Sequence, residues 1–283
     1  MLITKKLYLN IEETLGRVAR IENSISFLYD NLELQLQGHS LADLLKSLNE
    51  QRESRKHWTS YSKKNPKISV IIPVSRSIEV VTSAIDSVAA QTYSNIELIL
   101  VTESENKDLS SNIKKRRDKR ILLITNSSKS KVSGEWANWS VSGGSSRNIG
   151  LQSMSGDFFT FLDDDDFMLP QKIEKCLNFA KSNNLEFVGH LEGFEKNGKI
   201  ELLRGNKINK TRKFHSGSVD YLGLNTNTIF MHKFYSRIKW PIYNYKNMRG
   251  NDPVYLRLIF ALNPIYALLP EILVLNDFSN LKK

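Results

Sequence analysis

The spacing of hydrophobic positions changes near residue 66. Residues 8–36 carry Leu15, Val18, Ile21, Ile25, Leu28 and Leu32 at intervals of three and four, the stripe of an amphipathic helix. Glu12, Glu13, Arg17, Arg20 and Glu22 fall on the opposite face. That mixture of charges suits packing on another helix better than lying on a membrane, where the polar face is more uniformly basic. Gly38 ends this helix, Ser40 caps a second, and Leu41, Leu44, Leu45 and Leu48 form its stripe. The polar stretch 49–66, closing on Asn65-Pro66, is expected to be a linker. Residues 1–64 therefore read as a helical extension, either a stabilising cap on the rest of the chain or a coiled-coil-like element for homo-oligomerisation.

Beyond Pro66 short apolar runs alternate with helical spacing. Ile68–Val74 is a β-rich run of the kind buried in a parallel sheet. Residues 77–90 are helical in period, and Ile96–Val101 and Ile121–Thr125 are further strands separated by a polar helical segment. A Gly/Ser-rich loop at 142–146 leads to a helix over Arg147–Met154, and Phe158–Leu162 is a fourth strand. This alternation predicts an α/β domain with a mainly parallel sheet over 65–283. Asn197-Gly198, between Leu191–Glu195 and Lys199–Leu203, is a hairpin signal, so the C-terminal part departs from simple alternation. Asn225–Met231 is expected to be a strand, followed by a loop at 239–249.

Composition narrows the class. The 283 residues are 40% hydrophobic and 25% charged, which excludes a wholly disordered chain, a collagen-like repeat and a disulfide scaffold. Forty Lys+Arg against thirty Asp+Glu give a net charge of +10 and favour anionic partners. The basic runs Lys114–Arg120 and Lys207, Lys210, Arg212 and Lys213 suit a solvated face, or contact with anionic lipid headgroups or a diphosphate-linked acceptor. Nucleic acid is not expected, because a basic run for that purpose needs interleaved aromatics or a binding motif. Cys176 has no partner for an internal disulfide and lies on an apolar helix face, so it reads as core in a reducing compartment. With no apolar run of membrane length and no signal-peptide pattern, a cytoplasmic protein is expected, with peripheral contact at the inner face of the membrane as a further expectation.

The sharpest chemical signal is Asp163-Asp164-Asp165-Asp166, directly after a strand. Adjacent carboxylates repel one another unless a cation compensates, and open α/β sheets bind ligands at the C-terminal ends of their strands. Hard oxygen donors point to Mg²⁺ or Mn²⁺ with a phosphorylated ligand. An EF-hand is excluded by Phe167 and Met168, which stand where a ligand and a glycine are required. The alternative is a solvated acidic turn that caps a helix starting near Leu169.

The strand Ile68–Val74, the segment Ser87–Tyr93, the strand Ile96–Val101, Ser146-Arg147-Asn148-Ile149-Gly150 and Gly156–Asp166 stand in an order that resembles the inverting GT-A glycosyltransferases of family 2. Those enzymes typically show an S-V-I-I-P strand, S-V-x-x-Q-T, R-N-x-G and an L-D-x-D-D cluster. The resemblance implies a GT-A fold, a nucleoside diphosphate sugar donor, Mn²⁺ or Mg²⁺, and a saccharide or glycoconjugate acceptor. It puts the metal- and diphosphate-binding motif on Asp163 and Asp165, with Asp165 a direct ligand and Asp163 nearer the ribose. Asp164 or Asp166 would hold the donor sugar or a water near the ion. Arg147 would contact the donor or pair with the cluster, unless it only bridges within the fold. Pro73, Val74 and Ser75 would approach the nucleotide base. Where the family has an Asp-Asp-Gly-Ser turn, this chain has Thr102-Glu103-Ser104-Glu105, leaving Glu103 as the replacement carboxylate. Gly250-Asn251-Asp252-Pro253 resembles the family's G-E-D segment with Asn for Glu, which makes Asp252 the general base or, alternatively, an ordinary helix cap.

His190, His215 and His232 are further candidates, with His232 in an apolar stretch that suits a structural role. Trp136 and Trp139 suit either stacking on a sugar ring or packing. The expected function is metal-dependent inverting sugar transfer in surface polysaccharide or glycoconjugate synthesis. Residues 65–205 would form the donor half and 206–283 the acceptor and base half. The rival expectation, prompted by Thr102, Glu103 and Asn251, is a catalytically silent binding or scaffolding protein that oligomerises through residues 8–36.

Overall fold

The computed structural model describes residues 34–35, 37–54, 62–126, 143–203, 223–241 and 252–276. The expectations for residues 8–33, Trp136, Trp139, Lys207, Lys210, Arg212, Lys213, His215 and Asn251 lie outside the described residues. Four parallel strands form one half of the sheet: β1 (Ile68–Val74), β2 (Ile96–Thr102), β3 (Ile121–Thr125) and β4 (Phe158–Phe161). The crossovers carry α-helices, as parallel pairing demands. These are α2 (Ile78–Ala89) between β1 and β2, α3 (Lys107–Arg116) between β2 and β3, and α4 (Gly144–Ser153) before β4; α1 (Leu41–Glu53) precedes them all. The remaining strands are β5 (Asp166–Met168), β6 (Phe187–Lys196), β7 (Lys199–Leu202), β8 (Ile229–His232) and β9 (Tyr266–Asn276), with α5 (Lys172–Asn183) and α6 (Asp252–Ala261) among them. The sheet order is β3-β2-β1-β4-β8-β6-β9-β5, with β7 hairpinned onto β6. β8 runs antiparallel to both β4 and β6, and β6 pairs parallel with β9. A mixed, mostly parallel sheet flanked by helices is thus observed as expected.

β1 shows why the sheet is covered on both faces. Ile68, Val70, Ile72 and Val74 meet Val81, Ala84, Ile85 and Val88 of α2, whereas Ile71 points the other way toward Leu151 and Phe161. The two-residue period of a strand sends alternate side chains to opposite layers, and both layers are apolar. Leu44 and Leu48 of α1, with Leu34, are buried in that second layer beside Phe187, Phe234 and Ile238. Burial of each such leucine contributes roughly 1.5–3 kcal/mol. α1 thus packs on the core of the sheet domain.

Several boundaries differ from those expected. The linker at 49–66 begins later, because α1 continues to Glu53 and Arg52 on its last turn makes a bidentate pair with buried Glu186 at 2.6 and 2.7 Å. The helix expected at Arg147 starts at Gly144, made possible by Gly143 in the left-handed region at φ 72°. Asn225–Met231 is not all strand: Thr226–Thr228 form a 3₁₀ turn capped by Asn225, and the strand begins at Ile229. The acidic run caps no helix at Leu169, since Asp166 opens strand β5 against β9 and α5 starts at Lys172. The Asn197-Gly198 turn is as expected, both residues having positive φ, at 53° and 73°.

Candidate active site

The site is built where β1 and β4 end side by side. Leu162 N still donates to Ile71 O, after which the chain turns into the four aspartates. Asp163–Asp166 form a tight turn, closed by Asp166 N donating to Asp163 O at 3.2 Å. Asp163 and Asp165 keep 35% and 22% of their side chains exposed, whereas Asp164 and Asp166 are buried.

The buried pair organises the surroundings. Asp164 Oδ2 accepts from Ser75 N at 2.6 Å and Arg76 N at 2.8 Å, clamping the loop after β1 to the acidic run. Pro73 and Val74 are buried, and Ser75, Arg76 and Ser77 are the exposed residues of this loop. Asp166 Oδ2 accepts from Asn227 Nδ2 at 2.5 Å and Asn276 Nδ2 at 2.9 Å. Burial, then the charges of Asp163, Glu192 and Asp165, push its carboxyl up to about 8. Glu192 is wholly buried on β6, beside a register irregularity between Leu191 and Glu192, and burial raises its pKa as well.

The exposed pair meets cations. Arg147 Nη2 donates to Asp163 Oδ1 at 2.6 Å, and its guanidinium lies over the Trp240 ring at 4.7 Å. Trp240 in turn stacks on Tyr255 with centroids 4.1 Å apart. The bridging role expected for Arg147 and its pairing with the cluster are therefore both present. Arg76 Nη2 lies 2.5 Å from Asp165 Oδ2. Burial nevertheless raises the Asp165 pKa, with Asp164 and Asp163 adding to it against Arg76. Lys172, fully buried beneath the cluster, donates to Asn227 O at 2.7 Å, and burial pushes its ammonium down to about 8. Five acidic groups, Asp163, Asp164, Asp165, Asp166 and Glu192, thus share the site with three basic ones, Arg76, Arg147 and Lys172.

Asp252, half-buried at the start of α6, joins the same assembly from the C-terminal half. Its Oδ2 accepts from Thr226 Oγ1 at 2.6 Å and from Thr226 N at 3.2 Å. Glu103 is exposed just past β2, whose last residue Thr102 pairs in register with Val74. His190 and His232 are both buried away from solvent. Burial, then Lys172, holds His190 well below its ordinary value, and His232 Nδ1 accepts from Phe234 N as a turn cap. Arg76, Lys172, Glu192, Asn227, Trp240 and Asn276 were missed by sequence reasoning. The polar run Asn225–Thr228 at the head of an apolar strand was the one signal that pointed to any of them.

Three motif residues acquire physical roles. Gln91 Oε1 accepts from Ile173 N and its Nε2 donates to Leu169 O, fastening the end of α2 to the segment after the aspartates. Asn148 exchanges two hydrogen bonds with the Trp240 backbone, at 2.7 and 3.0 Å. Gly150 packs α4 on β1 so closely that a Cβ there would lie 2.4 Å from Ile71 Cγ2.

A mainly parallel sheet with an acidic run at its C-terminal edge and a second carboxylate brought in from the following half defines a GT-A nucleotide-sugar-binding architecture. The family model described as glycosyl transferase family 2 matches residues 69–238, more than half of the chain, and the chain belongs to that family. An uncharacterized glycosyltransferase of Haemophilus influenzae is 34% identical over 161 residues, covering 56% of this chain and 57% of the relative. The Escherichia coli protein WfgD, a UDP-Glc:alpha-D-GlcNAc-diphosphoundecaprenol beta-1,3-glucosyltransferase, is 28% identical over 141 residues, covering 50% of this chain and 48% of the relative. The chain thus spans about half the length of these two relatives, and 16% of one from Rickettsia bellii. S. aureus TarS has the same fold, with a TM-score of 0.56 at 16% identity over 75% of this chain and 37% of TarS. The 1–349 form of TarS in complex with UDP gives 0.55 at 17% identity over 74% of this chain and 60% of that one.

Proposed function

We propose that the protein transfers a sugar from a UDP-sugar to a hydroxyl group of a saccharide or glycoconjugate acceptor, with inversion at the anomeric carbon. The observation that carries this reading is the alternation within the acidic run. Two carboxylates are partly exposed to a ligand and two are buried in support. The exposed donor set, all carboxylate oxygen, fits Mn²⁺ or Mg²⁺. Among the described residues no three acidic, His or Cys side chains converge as a cage. Asp165 and Asp163 would therefore hold the ion together with the donor's phosphates and water, the usual arrangement for Mg²⁺. The ion, when bound, would supply charge stabilisation to the departing diphosphate. WfgD and a second relative, WfaP, are named for UDP-glucose as donor, and TarS is titled with UDP and UDP-GlcNAc bound, which supports uridine as the base.

This chain's own residues divide the remaining work. Asp164 holds the β1 loop so that Ser75 and Arg76 border the donor. Arg147, held between Asp163 and Trp240, fixes the Asp163 carboxylate toward the ribose. Asp252 takes the proton of the acceptor hydroxyl as it attacks from the face opposite the leaving nucleotide. Glu103, exposed at the end of β2, faces the base side of the pocket.

The test is calorimetric titration of UDP with and without Mn²⁺, together with slow release of UDP from UDP-glucose or UDP-GlcNAc with water as acceptor. UDP binding that strengthens with Mn²⁺, and hydrolysis abolished in Asp163→Ala and Asp165→Ala, are the expected results. Asp252→Asn should lower turnover by roughly 100-fold while leaving UDP binding in place. A protein that binds no UDP under either condition refutes the reading.

A further inference from the structure

The turn Asn225–Thr228, buried from Thr226 onward, touches both halves of the site, and no motif of the donor or base machinery includes it. On one side Thr226 donates twice to Asp252 Oδ2, through its hydroxyl at 2.6 Å and its amide at 3.2 Å. On the other, Asn227 Oδ1 accepts from Asp163 N at 2.8 Å, and Asn227 Nδ2 donates to Asp166 Oδ2 at 2.5 Å and Glu192 Oε1 at 3.3 Å. Thr226 and Asn227 are adjacent, at most 2% exposed, and locked by a capping box in which Asn225 and Thr228 hydrogen-bond each other's backbone and side chain. Three separate elements fasten the turn from beneath. Lys172 of α5 donates to Asn227 O, Glu192 of β6 accepts from Asn225 Nδ2 at 2.5 Å, and the turn leads directly into β8.

We propose that Thr226 and Asn227 are positioning residues that form a strut between Asp252 and the donor-side aspartates, setting the distance between the base and the bound donor. This inference rests on the functional reading above. A fold seldom buries three consecutive polar residues, as it does Thr226, Asn227 and Thr228, since each must find a partner. Here the partners are the carboxylates the reaction uses, together with the two buried groups that support them. Any shift of the turn moves the Asp163 backbone and the Asp252 carboxylate together. Misplacement of about an ångström between reacting groups is enough to slow an enzyme severely.

The test compares Thr226→Val, Thr226→Ser and Asn227→Ala with the parent chain, reading UDP release from UDP-glucose and UDP-GlcNAc and thermal midpoints. Thr226→Val keeps the shape and removes the hydroxyl donor. Its kcat should fall about tenfold, the scale of a hydrogen bond to a charged group, with donor KM changed less than twofold. Thr226→Ser should restore most of the rate. Asn227→Ala, which touches the donor side as well, should raise KM and lower kcat together. Parent-level kcat in Thr226→Val, or a Ser variant as slow as the Val variant, overturns the strut. Should Asn227→Ala fail to fold, the Thr226 pair alone decides. Asp252→Asn in the same assay separates the two ideas. A slow Asp252→Asn beside an unchanged Thr226→Val sinks the strut only, whereas a fully active Asp252→Asn, or a parent chain that releases UDP from neither donor, overturns the functional reading and the strut with it.

Discussion

The Arg76 guanidinium, Nη2, lies 2.5 Å from Asp165 Oδ2, so this carboxylate of the acidic run is paired with a side chain of the β1 loop. The pair leaves Asp165 in an unfavourable setting all the same, because burial raises its pKa and the neighbouring Asp164 and Asp163 add to the effect. A carboxyl whose folded pKa lies above its unfolded value costs stability once ionised. Asp165→Asn is therefore expected to hold or raise the thermal midpoint of the metal-free protein while weakening Mn²⁺-dependent UDP binding at least tenfold. A lowered midpoint with unchanged UDP binding would show that Asp165 serves the fold and not the ligand.

Arg52 and Glu186 bind α1 to the sheet. Glu186 is buried and also accepts from Tyr235 Oη at 2.6 Å and Ile265 N at 3.1 Å. Removing the guanidinium strands a buried charge, which typically costs about 3–5 kcal/mol. Arg52→Met should thus lower the unfolding free energy measured in urea by that much, and Glu186→Gln in the same background should recover part of the loss. An Arg52→Met protein as stable as the parent would detach α1 from the folded core.

Glu97 sets an acid limit far from the site. Burial opposes its charge, but hydrogen bonds from Lys67, Ser155 and Ser69 outweigh this and hold it at about 2. With a folded pKa below the unfolded value, its contribution is complete above about 4.5 and is lost as pH falls through about 2. Melting curves between pH 6 and 2 should show stability falling in that window, and less steeply in Glu97→Gln. Equal slopes would remove Glu97 from the account.

Gly156 lies in the same corner. A Cβ there would come within 2.4 Å of Ser69 Oγ, 2.7 Å of Ser69 N and 2.8 Å of Phe158 O. Two of those atoms are backbone and cannot yield cheaply. Gly156→Ala is expected to cost about 1–3 kcal/mol in denaturant unfolding, as overpacking does. A cost under a few tenths of a kcal/mol would contradict the packing described.

Local pattern alone was enough for the first half of the sheet. β1 to β4 are short apolar runs joined by segments of helical period, and their parallel pairing and acidic C-terminal edge follow from spacing and connection rules. Asp163, Asp165, Arg147 and Asp252 were legible because charge or motif marks them in sequence. The inward turn of Asp164 and Asp166 was not, since four identical residues carry no sign of which ones the turn will bury.

What only the tertiary structure decided depends on partners distant in sequence. Arg52 reads as part of a polar linker until Glu186, 134 positions away, meets it in a buried pair. Asn227 reads as a strand residue until the side chains of Asp163, Asp166 and Glu192 and the backbone interaction with Lys172 surround it. Arg76 becomes part of the site because Asp164, 88 positions on, clamps its amide. Periodicity reports the face a residue presents to its own element, whereas a buried polar group is satisfied by whatever the fold brings opposite it. For that reason the sequence by itself determined the parallel half of the sheet, the family and the exposed chemistry of this protein, and the tertiary structure decided which polar residues hold that chemistry in place.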